Sequence, residues 1–400
     1  MAAFGTTVAF KGPRRREAVR LALIGDGVQA DVLRNCIDPN LARLVAICDI
    51  RPSTKSNADQ RSGVSWFEDW RRLLHDQSIE AVMIATPPWL HGEIAIGSLA
   101  AGKHVLCEPP MATDARACEE MISVAQKNQR ILHIGYQQQY DPSNWAAYRN
   151  IMKQGLLGDV YTVEATHHTN SSARLESPSS DAKFDPRPWG YSSLEHLLNW
   201  RLYQQYSSGP MGDEGGSIVS TINWFLDAVP TSVQAMGGIY SYKDGRDVDD
   251  HVYATLDYPN ARTAMLSVIQ SNGFEGSYIQ ILGTKGTLIL GNGESLLFME
   301  ERNGVTSVST AAVSGSQPVL DASATRRAEG ADHSALAQGA AATGGVREAF
   351  QNEIAAFCGA IRTGAPLRCS LSDARNVVLT CLAINKALKS QERVRPQEFA

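Results

Sequence analysis

The stretch Leu21-Ala22-Leu23-Ile24-Gly25-Asp26-Gly27-Val28-Gln29-Ala30 constrains this chain more than any other. An apolar run ends at two glycines one residue apart, and a small residue follows three positions after the second. Each small residue meets a steric demand. Gly25 allows a sharp turn out of a strand, Gly27 leaves room for a pyrophosphate to approach the backbone, and Ala30 lets the next helix lie close to the sheet. The first helical turn, with Val28 and Gln29, then offers free N–H groups and the positive end of its dipole to phosphates. A second apolar run, residues 44–48, ends at Asp49, about 20 residues beyond the glycines, where an acid accepts ribose hydroxyls. Asp49 repels a 2′-phosphate and so points to NAD, while Arg51 could tolerate the phosphate of NADP.

Strand and helix signals keep alternating after Asp49. Helices are expected over residues 53–61, 66–75, 90–101 and 114–128, and strands over 80–85, 104–107 and 131–135, with Thr86-Pro87-Pro88 stopping the strand over 80–85. This alternation predicts a doubly wound parallel sheet over residues 19–142, with ligands at the carboxyl ends of its strands. The pattern changes after Tyr140. A helix over 145–153 and a strand over 160–166 lead into a Ser-, Asp- and Pro-rich loop, 169–190, long enough to cover a site. Consecutive strands over 232–242, 252–258, 263–270, 278–283 and 286–290, separated by short turns, predict an antiparallel sheet. Residues 303–345 read as a long mobile loop or arm, and helices over 346–362 and 370–388 close a second domain spanning 143–400.

Composition narrows the partners. The 37 basic and 42 acidic residues leave a net charge of -5, which suggests neither a nucleic-acid nor an anionic membrane partner. The basic cluster Lys11, Arg14, Arg15, Arg16 and Arg20 lacks the apolar region of a secretion signal, so residues 1–18 are read as a mobile arm. No run of about 18 apolar residues is present, and no membrane-spanning helix is expected. The seven cysteines are scattered without C-x-x-C or paired-histidine spacing, which points to reduced buried thiols, no metal site and a cytoplasmic setting.

Several phrases together resemble one family. The N-terminal fingerprint, Ala85-Thr86-Pro87-Pro88 with His91 three residues on, the run Ala101-Gly102-Lys103-His104-Val105-Leu106-Cys107-Glu108, and Gly283-Thr284-Lys285-Gly286-Thr287 are similar to the Gfo/Idh/MocA oxidoreductases. The resemblance implies a Rossmann domain followed by an α/β domain whose open, mostly antiparallel sheet carries a substrate site on one face and often a subunit interface on the other, hence a homodimer or homotetramer. It implies NAD or NADP as cofactor, with Thr86, Pro87, His91, Glu108 and Pro109 beside it, and a sugar, glycoside or cyclitol as substrate. Two departures stand out. Where the family continues Glu-Lys-Pro, with the lysine as the usual catalytic group, this chain reads Glu108-Pro109-Pro110. Where the family has an acid, then a histidine four residues on and a second acid three beyond, this chain keeps Asp213 but has Ser217 and Ser220.

Oxidising a secondary alcohol requires a base near neutral pKa for its hydroxyl proton. Tyr136, directly after the last Rossmann strand, could serve if a cation lowered its pKa. His167 and His168 end a strand whose alternation sends them to opposite faces, and His168 is the one expected to face the cleft. Asp213 stands at the start of a helix, where it either caps N–H groups or holds a substrate hydroxyl. Gln137, Arg187, Trp189, Arg201, Tyr203 and Ser217 are the expected substrate contacts, arginine forks pairing with anions and aromatic faces stacking on sugar rings. Three functions fit: an NAD-dependent oxidoreductase with a substituted proton-transfer group, a redox-assisted glycosidase or lyase in which oxidation is transient, and an inactive dinucleotide- and sugar-binding regulator.

Overall fold

The computed structural model describes residues 17–55, 63–170, 174–291, 295–300, 306–312, 319–320 and 343–400. Residues 1–16 of the expected arm, the end of the helix expected over 53–61, and much of the loop expected over 303–345 lie outside the described residues.

The first sheet has six strands: β1 (Val19–Ile24), β2 (Ala42–Cys48), β3 (Ser65–Phe67), β4 (Ala81–Ile84), β5 (His104–Cys107) and β6 (Leu132–Ile134), in the order β3-β2-β1-β4-β5-β6 and all parallel. Every residue of β4 is buried, as expected of a parallel strand covered on both faces. The helices between the strands are α1 (Val28–Asn35), α2 (Trp70–Leu73), α3 (His91–Ala100) and α4 (Ala115–Lys127). Local chemistry sets their starts: the Asp114 carboxylate accepts the Ala117 N–H, and the Asp69 carboxylate accepts the Arg71 N–H. The helix expected over 66–75 is shorter than its apolar spacing suggests. Trp66 and Phe67 instead pair with β2 as an edge strand, the conformation that aromatic residues favour when a partner strand is available.

The second sheet has nine strands, β7 (Val160–His168), β8 (Ser232–Gly238), β9 (His251–Tyr258), β10 (Arg262–Ile269), β11 (Ser277–Gly283), β12 (Gly286–Leu290), β13 (Ser295–Glu300), β14 (Thr306–Ala312) and β15 (Val319–Leu320). Their order is β15-β14-β13-β12-β11-β7-β10-β9-β8; β7 and β10 run parallel, and every other neighbouring pair is antiparallel. The last two strands fall inside the stretch expected as a loop. Its Ser- and Ala-rich composition concealed the β-compatible alternation of Thr306–Ala312, which the edge of β13 organises.

Helices α5 (Pro142–Ala147), α6 (Leu194–Leu198) and α7 (Gly216–Leu226) belong to the second half, and α8 (Thr343–Thr363) and α9 (Leu371–Ser390) close the chain. α8 returns to the first sheet. Its Phe350, Ile354, Phe357 and Cys358 pack with Val19, Leu21 and Leu23 of β1 and with Leu33 of α1. The other face of β1, with Ala22 and Ile24, shares one continuous apolar cluster with Val163 and Ala165 of β7, Val219 and Ile222 of α7, and Val377 and Cys381 of α9. The two sheets are thus joined through a common core, and the crevice between them opens at the carboxyl ends of β1, β2, β4 and β5. All seven cysteines are buried and free. Among the described residues, no helix is long and apolar enough to cross a membrane.

Candidate active site

A cleft of about 940 Å³ occupies this crevice. Its Rossmann wall is built from the glycine turn outward. Gly25 has φ +91°, and a Cβ there would lie 2.6 Å from the Ala85 carbonyl oxygen, so only glycine lets the end of β1 lie against the end of β4. Gly27 begins α1 with no side chain capping the helix, and nothing lies within 4 Å of where its Cβ would point. Val28 beside it is 84% exposed. An uncapped helix start facing open space is the cradle a pyrophosphate needs.

At the end of β2, the Asp49 carboxylate accepts the Asp26 N–H at 2.8 Å, the Arg51 N–H at 2.8 Å and the Arg51 Nε–H at 3.1 Å. Arg51 also donates to the Asp26 carbonyl at 3.0 Å, which locks acid and guanidinium together at the ribose position. Farther along, His91 bridges the Thr86 and Pro110 carbonyls, each at 2.8 Å, and so ties the two loops that follow β4 and β5. Burial lowers its pKa, and the two carbonyl contacts work against that. Thr86 Oγ1 and Glu108 Oε1 are buried, line the cleft and have no hydrogen-bond partner, as do Gln138 Oε1 and Asn144 Oδ1. Buried polar atoms without partners mark where a ligand supplies them. Burial, reinforced by the neighbouring Glu353 carboxyl, holds the Glu108 carboxyl well above the usual range. The residues present therefore fit a dinucleotide, with Gly25, Gly27, Val28, Gln29, Asp49, Arg51, Thr86, Pro87, His91, Glu108 and Pro109 all on the cleft wall.

The opposite wall comes from the second sheet and from a π-helical turn, Met211–Gly215, that runs into α7. Such turns are frequent at functional sites because they displace side chains from the regular helical register. Asp213 and Glu214 are consecutive there, and both line the cleft. The Asp213 carboxylate accepts the Ser207 hydroxyl at 2.6 Å and the Ser208 N–H at 3.0 Å. Burial raises its pKa to about 6, against the lowering effect of those two bonds and of Arg201. Its partners precede the turn, so it is not a cap for α7. Glu214 Oε1 accepts the Gln270 amide at 3.0 Å, whereas its buried Oε2 makes no hydrogen bond and lies 3.5 Å from His167 Nε2. His167 Nδ1 meets the Ser277 hydroxyl at 2.6 Å. Gln137, Trp189, Arg201 and Ser217 complete the wall, and no lysine lines it among the described residues.

Four expected site residues lie elsewhere. Tyr136 is fully buried, its hydroxyl has no partner, and burial drives its pKa well up, so it is neither exposed to substrate nor poised as a base. The chain turns after β6 so that Gln137, not Tyr136, reaches the cleft. His168 points to the other face of the sheet, with Nε2 2.8 Å from the Ser267 hydroxyl and Nδ1 3.2 Å from the Phe274 carbonyl oxygen. His167 shares the parity of the buried Val163 and Ala165 and takes the cleft position. Arg187 is 74% exposed and paired with Asp185 at 2.8 Å, and the Tyr203 hydroxyl bonds Glu195 and Arg174 outside the cleft. Glu214 and Ser277 were not singled out from sequence. The available signal was the adjacency of Glu214 to Asp213 within one motif.

The loop over 174–190 covers this site. The Ser53 hydroxyl donates to the buried Asp181 at 2.8 Å, Trp89 packs edge-on to Tyr191 at 5.4 Å, and Leu175, Pro188, Trp189 and Tyr191 face the cleft.

Comparison with known proteins agrees with this geometry. A family model described as "Oxidoreductase family, NAD-binding Rossmann fold" matches residues 19–136, and the GFO/IDH/MocA C-terminal domain model matches residues 145–289. The chain is 26% identical over 276 residues to a levoglucosan dehydrogenase of Pseudarthrobacter phenanthrenivorans, covering 63% of this chain and 65% of that one. It is 27% identical over 198 residues to an inositol 2-dehydrogenase of Salmonella typhimurium, covering 48% and 56%. A third relative, 23% identical over 219 residues and covering 54% and 52%, is a 2,7-anhydro-N-acetylneuraminate hydratase of Escherichia coli. The matches thus span roughly half to two thirds of these curated relatives. Among solved structures, a levoglucosan dehydrogenase in complex with NADH and levoglucosan shares the fold at TM-score 0.74 and 20% identity, over 95% of this chain and 99% of that one. The aldose-aldose oxidoreductase of Caulobacter crescentus shares it at TM-score 0.69 and 20% identity, over 95% and 100%.

Proposed function

The chain belongs to the Gfo/Idh/MocA oxidoreductase family, and from that premise we propose that it is an NAD-dependent dehydrogenase of a sugar, glycoside or cyclitol in which Asp213 takes the hydroxyl proton. One observation carries the assignment: a cleft-lining carboxylate, held from behind by Ser207 and Ser208, has its pKa raised to about 6 by burial. A base of that pKa is ionised at neutral pH yet strong enough to draw a hydroxyl proton as hydride departs. Pro109, where the family resemblance places a lysine, has no side-chain donor, and Ser217 has no imidazole to offer.

The neighbouring groups suit a polyhydroxylated ligand. Glu214 Oε2 is a buried acceptor without a donor, His167 is held toward it by Ser277, and Gln137 and Arg201 add donors nearby. Trp189 on the covering loop presents an aromatic wall. Bound against the Gly25–Gly27 turn, NAD supplies the hydride acceptor. The relatives, a levoglucosan dehydrogenase and an inositol 2-dehydrogenase, support this substrate class.

A second reading has His167 as the base, with Glu214 as its partner, for the 3.5 Å contact between them supports a dyad. A transient-oxidation lyase also retains support, because one relative is named for a hydration. Incubating the protein with NAD and a panel of levoglucosan, inositols and simple glycosides separates these. NADH formed in proportion to oxidised sugar supports the dehydrogenase. Released aglycone or altered sugar without NADH supports the lyase, and binding of both ligands without turnover supports an inactive regulator. Within an active enzyme, Asp213→Asn should lower kcat/KM by about 10²–10⁴-fold, whereas His167→Ala should chiefly raise the KM of the sugar; the reverse pattern assigns the base to His167.

A further inference from the structure

A second cavity, of about 330 Å³, lies behind Asp213, lined by Ser207, Ser208 and Gly212 together with Asp249, Asn385 and Lys389. Trp89 borders both this cavity and the cleft. Gln204, Gln205 and Lys389 on its rim are exposed, so it opens to solvent. With polar groups from Ser207, Asp249, Asn385 and Lys389 on its lining, it is wide enough to hold several water molecules. Asp213 therefore stands in a partition: it lines the cleft, and Ser207, whose hydroxyl donates to its Oδ2, lines the second cavity.

We propose that Ser207 is a relay that passes the proton collected by Asp213 out of the rear of the site, into the second cavity, while cofactor and sugar still fill the cleft. This rests on the reading of Asp213 as the base. The hydroxyl of Ser207 has one proton to donate and two acceptor positions. One acceptor position takes the Gly209 N–H at 2.9 Å, and the proton goes to Asp213 Oδ2 at 2.6 Å. When Asp213 becomes protonated, its O–H donates to the second acceptor position of Ser207. The serine's own proton then passes to water in the second cavity as the Asp213 proton moves onto Ser207 Oγ, so the serine stays neutral. One O–H bond breaks and one forms at each step, and the sum is one proton moved from the Asp213 carboxyl to solvent, with no change of oxidation state. On the cleft side, Leu175 and Pro188 to Tyr191 of the covering loop lie over the site. The charged and titratable groups facing Asp213 are Arg201 and Glu214 on the cleft side and the Cys381 thiol from α9, with Asp249 and Lys389 across the second cavity. Burial keeps the Cys381 thiol neutral, so it does not compete for the proton.

The test follows proton and hydride separately in one turnover, with an indicator dye for the proton and absorbance for NADH, on whichever panel sugar is oxidised, levoglucosan and myo-inositol being tried first. In the unmodified protein the proton appears in step with NADH. In Ser207→Ala it should lag NADH at least fivefold, with the sugar KM and NAD binding unchanged and the pH inflection moved upward by loss of the bond to Asp213. Ser207→Thr should restore synchrony, and Leu388→Trp, which adds bulk to the lining of the second cavity, should reproduce the lag. Synchronous release in a folded Ser207→Ala protein, or in Leu388→Trp should Ser207→Ala fail to fold, overturns the relay. The base assignment is tested apart from it. If Asp213→Asn turns over normally, or no panel sugar reduces NAD, that assignment fails and the relay with it; if Asp213→Asn is inactive while Ser207→Ala releases its proton on time, the relay alone fails.

Discussion

At the scale of single residues, the proposed function depends on which way consecutive side chains point. Asp213 and Glu214 both reach the cleft because a π-helical turn breaks the ordinary helical register. Their environments differ: Asp213 receives two donors from behind, and Glu214 keeps one oxygen without a donor. The same logic governs the cofactor. Asp49 alone would repel a 2′-phosphate, but Arg51 gives three N–H groups to that carboxylate and leaves the local charge near neutral. Arg51→Ala should therefore raise the KM for NADP at least tenfold while changing that for NAD by less than about threefold, since one unscreened acid then faces the phosphate. Steady-state kinetics with both cofactors check this. The residues expected from sequence to hold the cofactor all line the cleft, the glycines and Asp49 because each answers a fixed steric or charge demand. Tyr136 and His168 were not legible in that way. Each sits one residue from a cleft-facing neighbour, Gln137 and His167, and in a strand or turn a shift of one position exchanges faces. The parity of Val163 and Ala165 with His167 was the signal that could have decided the histidine.

At the scale of elements, the turn carrying Asp213 works only with small residues packed into it. A Cβ on Gly212 would lie 2.3 Å from the Ser208 Cβ, the residue whose N–H holds Asp213. Gly212→Ala should push the Ser207–Ser208 segment away, with a loss of at least tenfold in kcat and little change in NAD affinity, measured by kinetics alongside NAD titration. Element positions were largely readable. The expected strands over 104–107 and 286–290 are β5 and β12 with the same bounds, because compact apolar runs bounded by Gly, Lys and Pro leave little choice. The misread elements have weak or mixed signals. Trp66 and Phe67 fit a helical spacing yet take an edge strand, and Thr306–Ala312 lies within a stretch of loop-like composition. Tertiary pairing, invisible to a local pattern, decided both.

At the scale of the whole molecule, the chain is joined by contacts between segments far apart in sequence. α8 covers the first sheet more than 300 residues after β1, and Glu80 receives two hydrogen bonds from Arg362, at 2.6 and 2.9 Å. The periodicity of α8 shows an amphipathic helix but not the sheet it covers, so this return was not legible in sequence. Phe357 is fully buried in that contact. Phe357→Ala should cost about 3–5 kcal/mol and lower the thermal midpoint of the Rossmann half, and saturating NAD should recover part of the loss, as ligand linkage requires. Calorimetry with and without NAD measures both effects. A midpoint unchanged by the substitution would mean that α8 is not integral to the cofactor domain.

Asp213 remains the residue on which the functional account turns, and the pH dependence of kcat/KM tests it most directly. With its pKa raised to about 6, the base proposed at Asp213 is protonated below that pH and ionised above it. The profile for the oxidised sugar should fall about tenfold per pH unit below an inflection near 6 and level off above it. Asp213→Asn should abolish that limb together with at least a hundredfold of the rate. A profile for Asp213→Asn that keeps both the inflection and the rate would contradict the account and place the proton on another group.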